Sequence, residues 1–345
     1  YDRLGVIAVE IDDYPGFAVK YVLRDQHLLK FILENAFHDL GQQNRLFVWH
    51  AWMGPDRIAF VAHFRDDEPT GAASIAELAA QFHRWIQDNL ELTVTIGIGE
   101  DAVSIAAIAD AYRGAQDHVD LKPVFGADTI IDSRRSAGKL GLNRFVYLQA
   151  LESAAQSFRL HESDWREKLA DIFGQLKEMR FSKSEMRVFV NGFATRLDKA
   201  VSTLSPAVQE RWLADFRPAW ESLPDRTETL DELERRIMAA MSDFEAVLDQ
   251  DRQARRHHHL ALQAKSYIDD NYTNPDLSLT LVSEHLKLQP TTLSQIFKEE
   301  LGEKFVDYVL KARLEHAKRL LKETGDSVQS IAEQVGYRNV ISFYR

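Results

Sequence analysis

One pattern near the C-terminus constrains this chain more than any other feature. Leu279, Val282, Ser283 and Leu286 recur as Val328, Ile331, Ala332 and Val335, each displaced by 49 positions. The spacing puts each set on one face of a short helix. Each set is followed by a turn and a further helix. Lys287-Leu288-Gln289 leads to Pro290, a residue suited to a helix start, and then to Leu293, Ile296, Phe297 and Leu301 facing a core. Gly336-Tyr337-Arg338-Asn339 leads to another helix containing Phe343. Two helix-turn-helix units are therefore predicted. Phe305–Lys322 joins them without a breaker, with Leu310, Leu314, Ala317 and Leu321 on one face, which predicts a continuous helix holding the units at fixed separation.

At 345 residues the chain has room for two or three cores of ordinary size. Its first part alternates strand and helix signals. Strands are predicted at Leu4–Ile11, Arg45–Trp52, Arg57–Phe64 and Leu92–Ile98, with short strand signals at Val124-Phe125 and Thr129–Ile131. Asp12-Asp13-Tyr14-Pro15-Gly16 reads as a turn and Met53-Gly54-Pro55-Asp56 as the tip of a hairpin. Helices are predicted through Leu28–Phe37, Ile75–Ile86 and Ile105–Val119, giving an α+β domain over residues 1–133. Strand signals then vanish over residues 134–258, where stripes such as Phe145, Leu148, Leu151, Ala155 and Phe158 predict a helical connector. Its helices are expected to stop at Ser205-Pro206, Arg217-Pro218 and Leu223-Pro224-Asp225. Residues 259–345 carry the repeat, so the fold class is multidomain: α+β, then an all-α connector, then an all-α double helix-turn-helix.

Composition removes several functional classes. With 45% hydrophobic and 28% charged residues the chain is not a disordered one. The 53 acidic against 42 basic side chains, a formal charge of −11, exclude a protein that coats nucleic acid through bulk positive charge. From Ala261 to Arg345 there are 11 Lys and Arg against 12 Asp and Glu, so the terminal domain is near neutral. Local placement of Lys298, Lys304, Lys311, Arg313, Arg338 and Arg345 then has to supply any DNA affinity. The absence of Cys excludes disulfides, thiolate metal sites and a cysteine nucleophile, and is consistent with a cytoplasmic location. No apolar run approaches the roughly 18 residues of a membrane-spanning helix. The chain begins at Tyr1 without signal-peptide features and is expected to be a piece of a longer protein. No cofactor and no catalytic motif is expected, because no Walker, HExxH or GxSxG pattern occurs.

Ser278-Leu279 through Leu301-Gly302, Phe305-Val306-Asp307-Tyr308-Val309, Arg313, Ala317-Lys318, and Ser327-Val328 through Gly336-Tyr337 with Phe343 and Arg345 resemble the DNA-binding domain of AraC/XylS-type transcription regulators. This sequence has Lys287 where that family usually has Gly, and it ends at Arg345 inside the second recognition helix, with integrity of the second unit at stake. Glu10-Ile11-Asp12, Gly54-Pro55-Asp56-Arg57-Ile58 and Val94 to Gly99 resemble the degenerate GGDEF-like domain that precedes such DNA-binding domains in membrane-anchored sensor regulators. The resemblance implies an upstream membrane sensor region, a homodimer and promoter DNA as partner. Pro55 removes a backbone donor from the cyclase hairpin and Arg57 replaces an acid, so nucleotide chemistry is not expected, although Glu10, Asp12 and Asp56 are placed to cluster near a strand end.

A recognition helix presents polar or small side chains to base edges while its other face packs inward. With Leu293, Ile296 and Phe297 inward, Thr291, Thr292, Ser294, Gln295 and Lys298 fall outward, and Thr291, Ser294 and Gln295 match the family's contact pattern. Gln295 suits an adenine edge and Lys298 a phosphate. In the second unit the outward set is Asn339, Val340, Ile341, Tyr344 and Arg345. The alternative is that both sets are ordinary solvent-facing residues. His257-His258-His259 point in different directions on a helix and are read as a solvated linker rather than a metal site. Trp49 and Trp52, flanking His50, are read as core and face filler. The chain is thus read as the cytoplasmic part of a one-component, sequence-specific transcription regulator. The competing readings are a diguanylate cyclase-like or nucleotide-binding enzyme and a scaffold that no longer binds DNA.

Overall fold

β1 (Arg3–Ile11) is the centre of a five-stranded sheet ordered β2-β3-β1-β4-β5. It reads as a nearly continuous apolar run because both of its faces are covered. Ile7, Val9 and Ile11 share a core with Leu33 and Phe37 on one helix and Leu78 and Phe82 on another. Val6 and Ala8 on the opposite face meet Ala111, Ala115 and Val119. The computed structural model describes residues 3–65, 74–137 and 146–344; Phe145 and Arg345 lie outside them. The chain divides into two units, Tyr1–Glu245 and Ala246–Arg345.

In the first unit β1 is followed by α1 (Tyr14–Lys20), α2 (Leu23–Gln43), the antiparallel hairpin β2 (Phe47–Trp52) and β3 (Arg57–Phe64), and α3 (Ile75–Asn89). Then come β4 (Val94–Ile98), a 3-10 turn and α4 (Ile108–Val119), α5 (Lys122–Phe125), β5 (Ile130–Ile131) and α6 (Ser133–Ala137). β1 pairs antiparallel with both β3 and β4, setting Val6 opposite Val61 and Val9 opposite Ile96, and β5 adds in parallel to β4. α4 lies directly on β4. A Cβ placed on Gly97 or Gly99 meets the carbonyl oxygens of Ala115 and Ala111, so only glycine lets helix and strand approach this closely. β2 is an edge strand and leaves Phe47 and Trp49 exposed.

Two expectations fail here for identifiable reasons. The expected turn at Asp12–Gly16 is the start of α1: Asp13 takes a left-handed conformation and its side chain accepts from Gly16 N at 3.2 Å, with Pro15 in the first turn. Val124-Phe125 are helical rather than extended. Pro123 lies in the first turn of α5 and Gly126, at φ 89°, closes the helix.

The rest of the first unit is helical: α7 (Val146–Leu160), α8 (Trp165–Lys177), α9 (Lys183–Val201), α10 (Pro206–Arg211), α11 (Arg217–Glu221) and α12 (Leu230–Asn271). Its core is aromatic. Phe158 meets Trp165 edge-on at 5.4 Å, and Trp212 lies 5.0 Å from Phe244 of α12. Arg217-Pro218 does not stop the chain of helices, as expected from proline. A π turn over Trp212–Phe216 leads into α11, whose first turn carries Pro218, where no helical donor is needed. α12 runs through His257-His258-His259, of which His258 and His259 are exposed.

The second unit contains the end of α12 with α13 (Leu279–His285), α14 (Pro290–Leu301), α15 (Phe305–Glu323), α16 (Val328–Gln334) and α17 (Val340–Tyr344). Ala264 and Ile268 of α12, Val282, Leu293 and Phe297, and Phe305 and Val309 of α15 form one core. Ala317, Ile331 and Val335 form another with Tyr337 and Phe343. α15 is continuous, but its packed face is Phe305, Val309, Arg313 and Ala317. Leu310, Leu314 and Leu321, expected on that face, are exposed. Among the described residues no helix is long and apolar enough to cross a membrane.

Candidate nucleic-acid interface

The internal repeat extends to the caps and turns. Ser278 and Ser327, again 49 positions apart, both start their helices by accepting from a backbone N–H three residues on, at 3.3 and 3.2 Å. Lys287 and Gly336, the corresponding turn residues, both adopt a left-handed backbone, with φ 55° and 90°. Two helix-turn-helix units thus share one local geometry.

α14 begins at Pro290 and ends at Gly302, whose φ of 73° is that of a left-handed helix terminus. Leu293, Ile296 and Phe297 are buried. Thr291, Thr292, Ser294, Gln295 and Lys298 are all exposed, with Thr291, Gln295 and Lys298 on one stripe and Ser294 beside them. Gln295 Nε2 donates to Glu299 Oε1 at 2.9 Å, which aligns its amide along the helix. In the second unit Asn339 and Ile341 are exposed and Val340 is half-buried at the start of α17. Tyr344 closes α17 but its side chain, like all of Arg345, lies outside what is described.

The cations divide into surface groups and one internal strut. Lys298, Lys304 and Lys311 are exposed, Lys311 at 3.6 Å from Glu303, and Arg338 pairs with Asp276 at the surface. Arg313, expected among the groups that give DNA affinity, is buried instead. Its Nε donates to Tyr272 O at 2.9 Å and its Nη2 to Asn274 O at 2.8 Å, and its guanidinium lies 5.5 Å from the centre of the Tyr337 ring. It therefore ties the end of α12 to the turn of the second unit. His258 Nδ1 lies 3.0 Å from Glu300 Oε2, joining α12 to the end of α14.

The acidic candidates of the sheet lie in the first unit. Glu10 and Asp12 come together, but around an ammonium: Lys122 Nζ is 2.7 Å from Glu10 Oε1 and 2.5 Å from Asp12 Oδ1. Arg57 reaches Glu10 Oε2 and Asp120 Oδ1, both at 2.6 Å. Burial alone raises the Glu10 carboxyl, yet Lys122, Lys183 and Arg57 outweigh it and hold the group down at about 2. Asp56 lines the same cavity, of about 550 Å³, as Glu10 and Arg57. Lys122, Lys183 and Glu228 carried no sequence signal, because Lys122 and Lys183 reach Glu10, and Glu228 reaches Lys122, across more than a hundred positions of chain. Trp49 is exposed rather than core, whereas Trp52 is half-buried and donates to Glu34 at 2.6 Å. Among the described residues no group of His, Asp or Glu is arranged to hold a metal ion.

The family match lies in the C-terminal part of the chain. Residues 282–345 match the family described as "Helix-turn-helix domain". The chain is similar to the "Uncharacterized transcriptional regulatory protein YesN" of Bacillus subtilis (strain 168), 44% identical over 72 residues, which is 20% of this chain and 20% of that protein. It is also similar to the "Uncharacterized HTH-type transcriptional regulator YfiF" of the same organism, 36% identical over 78 residues, 23% of this chain and 24% of that protein. The "Arabinose operon regulatory protein" of Escherichia coli (strain K12) is 28% identical over 83 residues, 24% of this chain and 28% of that protein. The chain thus spans between a fifth and about a quarter of these relatives' own length. The matched segment contains both helix-turn-helix turns and the exposed face of α14, so the C-terminus carries a helix-turn-helix domain.

Proposed function

We propose that this chain is a sequence-specific DNA-binding transcription regulator that reads promoter DNA through α14 and α17. The observation that carries the reading is the exposed polar face of α14, Thr291, Ser294, Gln295 and Lys298, on a helix whose other face is anchored in a core. Gln295 offers one donor and one acceptor to an adenine edge, the Thr methyls meet thymine methyls, and Lys298 meets a phosphate. The start of α17, with Asn339, Val340 and Ile341, faces the next major-groove segment, about one helical turn or roughly 34 Å away, and Tyr344 and Arg345 are assigned to the same contact set by sequence alone.

Residues 1–133 are read as a degenerate GGDEF-like domain, 134–258 as a connector and 259–345 as the DNA-binding domain, in the cytoplasmic part of a membrane-anchored sensor regulator acting as a homodimer. That the first domain does not cyclise nucleotides is supported by Lys122, whose ammonium stands among carboxylates that a cyclase keeps for metal ions. Incubation with GTP and magnesium is expected to yield no cyclic di-GMP, and turnover abolished by Asp56→Ala overturns this part of the reading.

The main test is DNA binding at several salt concentrations. Gln295→Ala is expected to cost about 2 kcal/mol at the specific site and little on random DNA. Lys298→Ala is expected to weaken both and to reduce the salt slope by about 1. Equal losses of both variants on specific and random DNA refute the assignment.

A further inference from the structure

The charged cluster of the first unit is the most thoroughly buried ionic group among the described residues. Lys122 is fully buried, Glu10 and Asp12 are almost fully buried, and Glu228 Oε1 approaches Lys122 Nζ at 3.3 Å. Lys183 of α9 adds a second ammonium, 2.5 Å from Glu10 Oε1 and 3.8 Å from Glu228 Oε1. The remaining oxygens are also satisfied: Thr95 Oγ1 and Asp128 N donate to the two carboxylate oxygens of Asp12 at 2.8 and 2.9 Å.

We propose that Lys122 is the shared internal counter-ion of Glu10, Asp12 and Glu228, and thereby clasps the segment leading into α12 to the sheet. Two buried carboxylates with a half-buried third beside them require a positive charge among them. A compact ammonium on a flexible stem suits the position better than a planar guanidinium. The contributors come from separate parts of the chain. Glu10 and Asp12 lie at the end of β1, Lys122 opens α5, and Glu228 sits just before α12, whose first turn is capped by the Thr229 side-chain oxygen accepting from Glu232 N at 3.2 Å. Lys183 N also donates to Asp120 O at 2.9 Å, so the start of α9 is seated on the same spot. Buried ion groups add little stability over apolar packing, but they penalise every arrangement in which a partner is lost. The clasp therefore selects one seating of Thr227–Thr229 on the sheet.

The experiment uses the full chain and amide hydrogen exchange over residues 222–229, with thermal unfolding alongside. Lys122→Ala and Lys122→Met are both expected to lose protection there by about tenfold or more. Millimolar methylammonium or magnesium is expected to restore protection in Lys122→Ala, where space is left for a cation. It is expected to do nothing for Lys122→Met, whose side chain fills that space, or for the parent chain. Wild-type protection in Lys122→Ala, equal rescue of both variants, no rescue of Lys122→Ala, or a gain of protection by the parent chain with magnesium each overturns the proposal. Should Lys122→Ala fail to fold, Glu228→Gln decides. It must loosen residues 222–229 while β1 and β4 keep their exchange rates, and unchanged protection at 222–229 refutes the clasp.

Discussion

The turns of the two helix-turn-helix units have the same handedness and opposite demands. Lys287 and Gly336 both sit in the left-handed region, at φ 55° and 90°. Lys287 is exposed, so its side chain leaves into solvent and the turn bears only the cost of a left-handed non-glycine residue, about 1 kcal/mol. Gly336 is buried against the end of α12. A Cβ there lies 2.5 Å from Tyr272 O and 3.0 Å from both Arg313 Nη2 and Thr273 C. The first turn uses backbone freedom alone, whereas the second needs backbone freedom and empty space. A left-handed position therefore demands glycine most strictly where another segment is packed on it.

The sharpest way to break this comparison is Gly336→Ala. Strain and overlap with the Tyr272 backbone together are expected to cost the second unit about 3 kcal/mol, read by urea unfolding. DNA protection at the second groove is expected to go while that of the first remains. A loss below about 1 kcal/mol shows that the α12 end moves aside easily and that space is not the issue. Next in size is Arg313→Met, which keeps the stem but leaves Tyr272 O and Asn274 O without donors. The expected loss is about 2 kcal/mol with an unchanged m-value. Arg313→Ala measures the stem as well and is expected to lose more. The smallest effect sharpens the other side: Lys287→Gly is expected to stabilise by about 0.5 kcal/mol and Lys287→Ala to be neutral, judged by thermal unfolding. A destabilising Lys287→Gly means that the lysine side chain itself holds the first turn.

The repeat was legible because its signal lies in apolar positions that really are buried: Val282, Leu293, Phe297, Ile331 and Val335 face their cores as their spacing predicts. The face of α15 was misread by one position. Leu310, Leu314 and Leu321 are exposed, while the packed stripe includes Arg313, a residue that any hydropathy argument discards. Lys122 was hidden for the same reason. A lysine read from sequence belongs to the surface, and only the fold brings three carboxylates around it. The strands were placed to within about two residues by their β-rich runs, but the sheet order was not, since pairing β1 between β3 and β4 depends on contacts that local pattern does not encode. For the recognition face, outward orientation on α14 follows from periodicity. Which base each side chain meets does not, because that is decided by DNA that the sequence does not contain.

The outer edge of β2 has a consequence for behaviour in solution. Among the described residues the outer edge of β2 is unpaired, and a strand edge beside exposed Phe47 and Trp49 is a surface on which a second strand can add, a tendency that aromatic area strengthens. The chain carries a formal charge of −11, so two copies repel at low ionic strength. Added salt shortens that repulsion to about 8 Å at physiological strength while strengthening nothing in the contacts with phosphate. On the proposed reading, added salt weakens contacts with DNA phosphates while it lessens the repulsion between copies of the chain, so the two effects of ionic strength run in opposite directions.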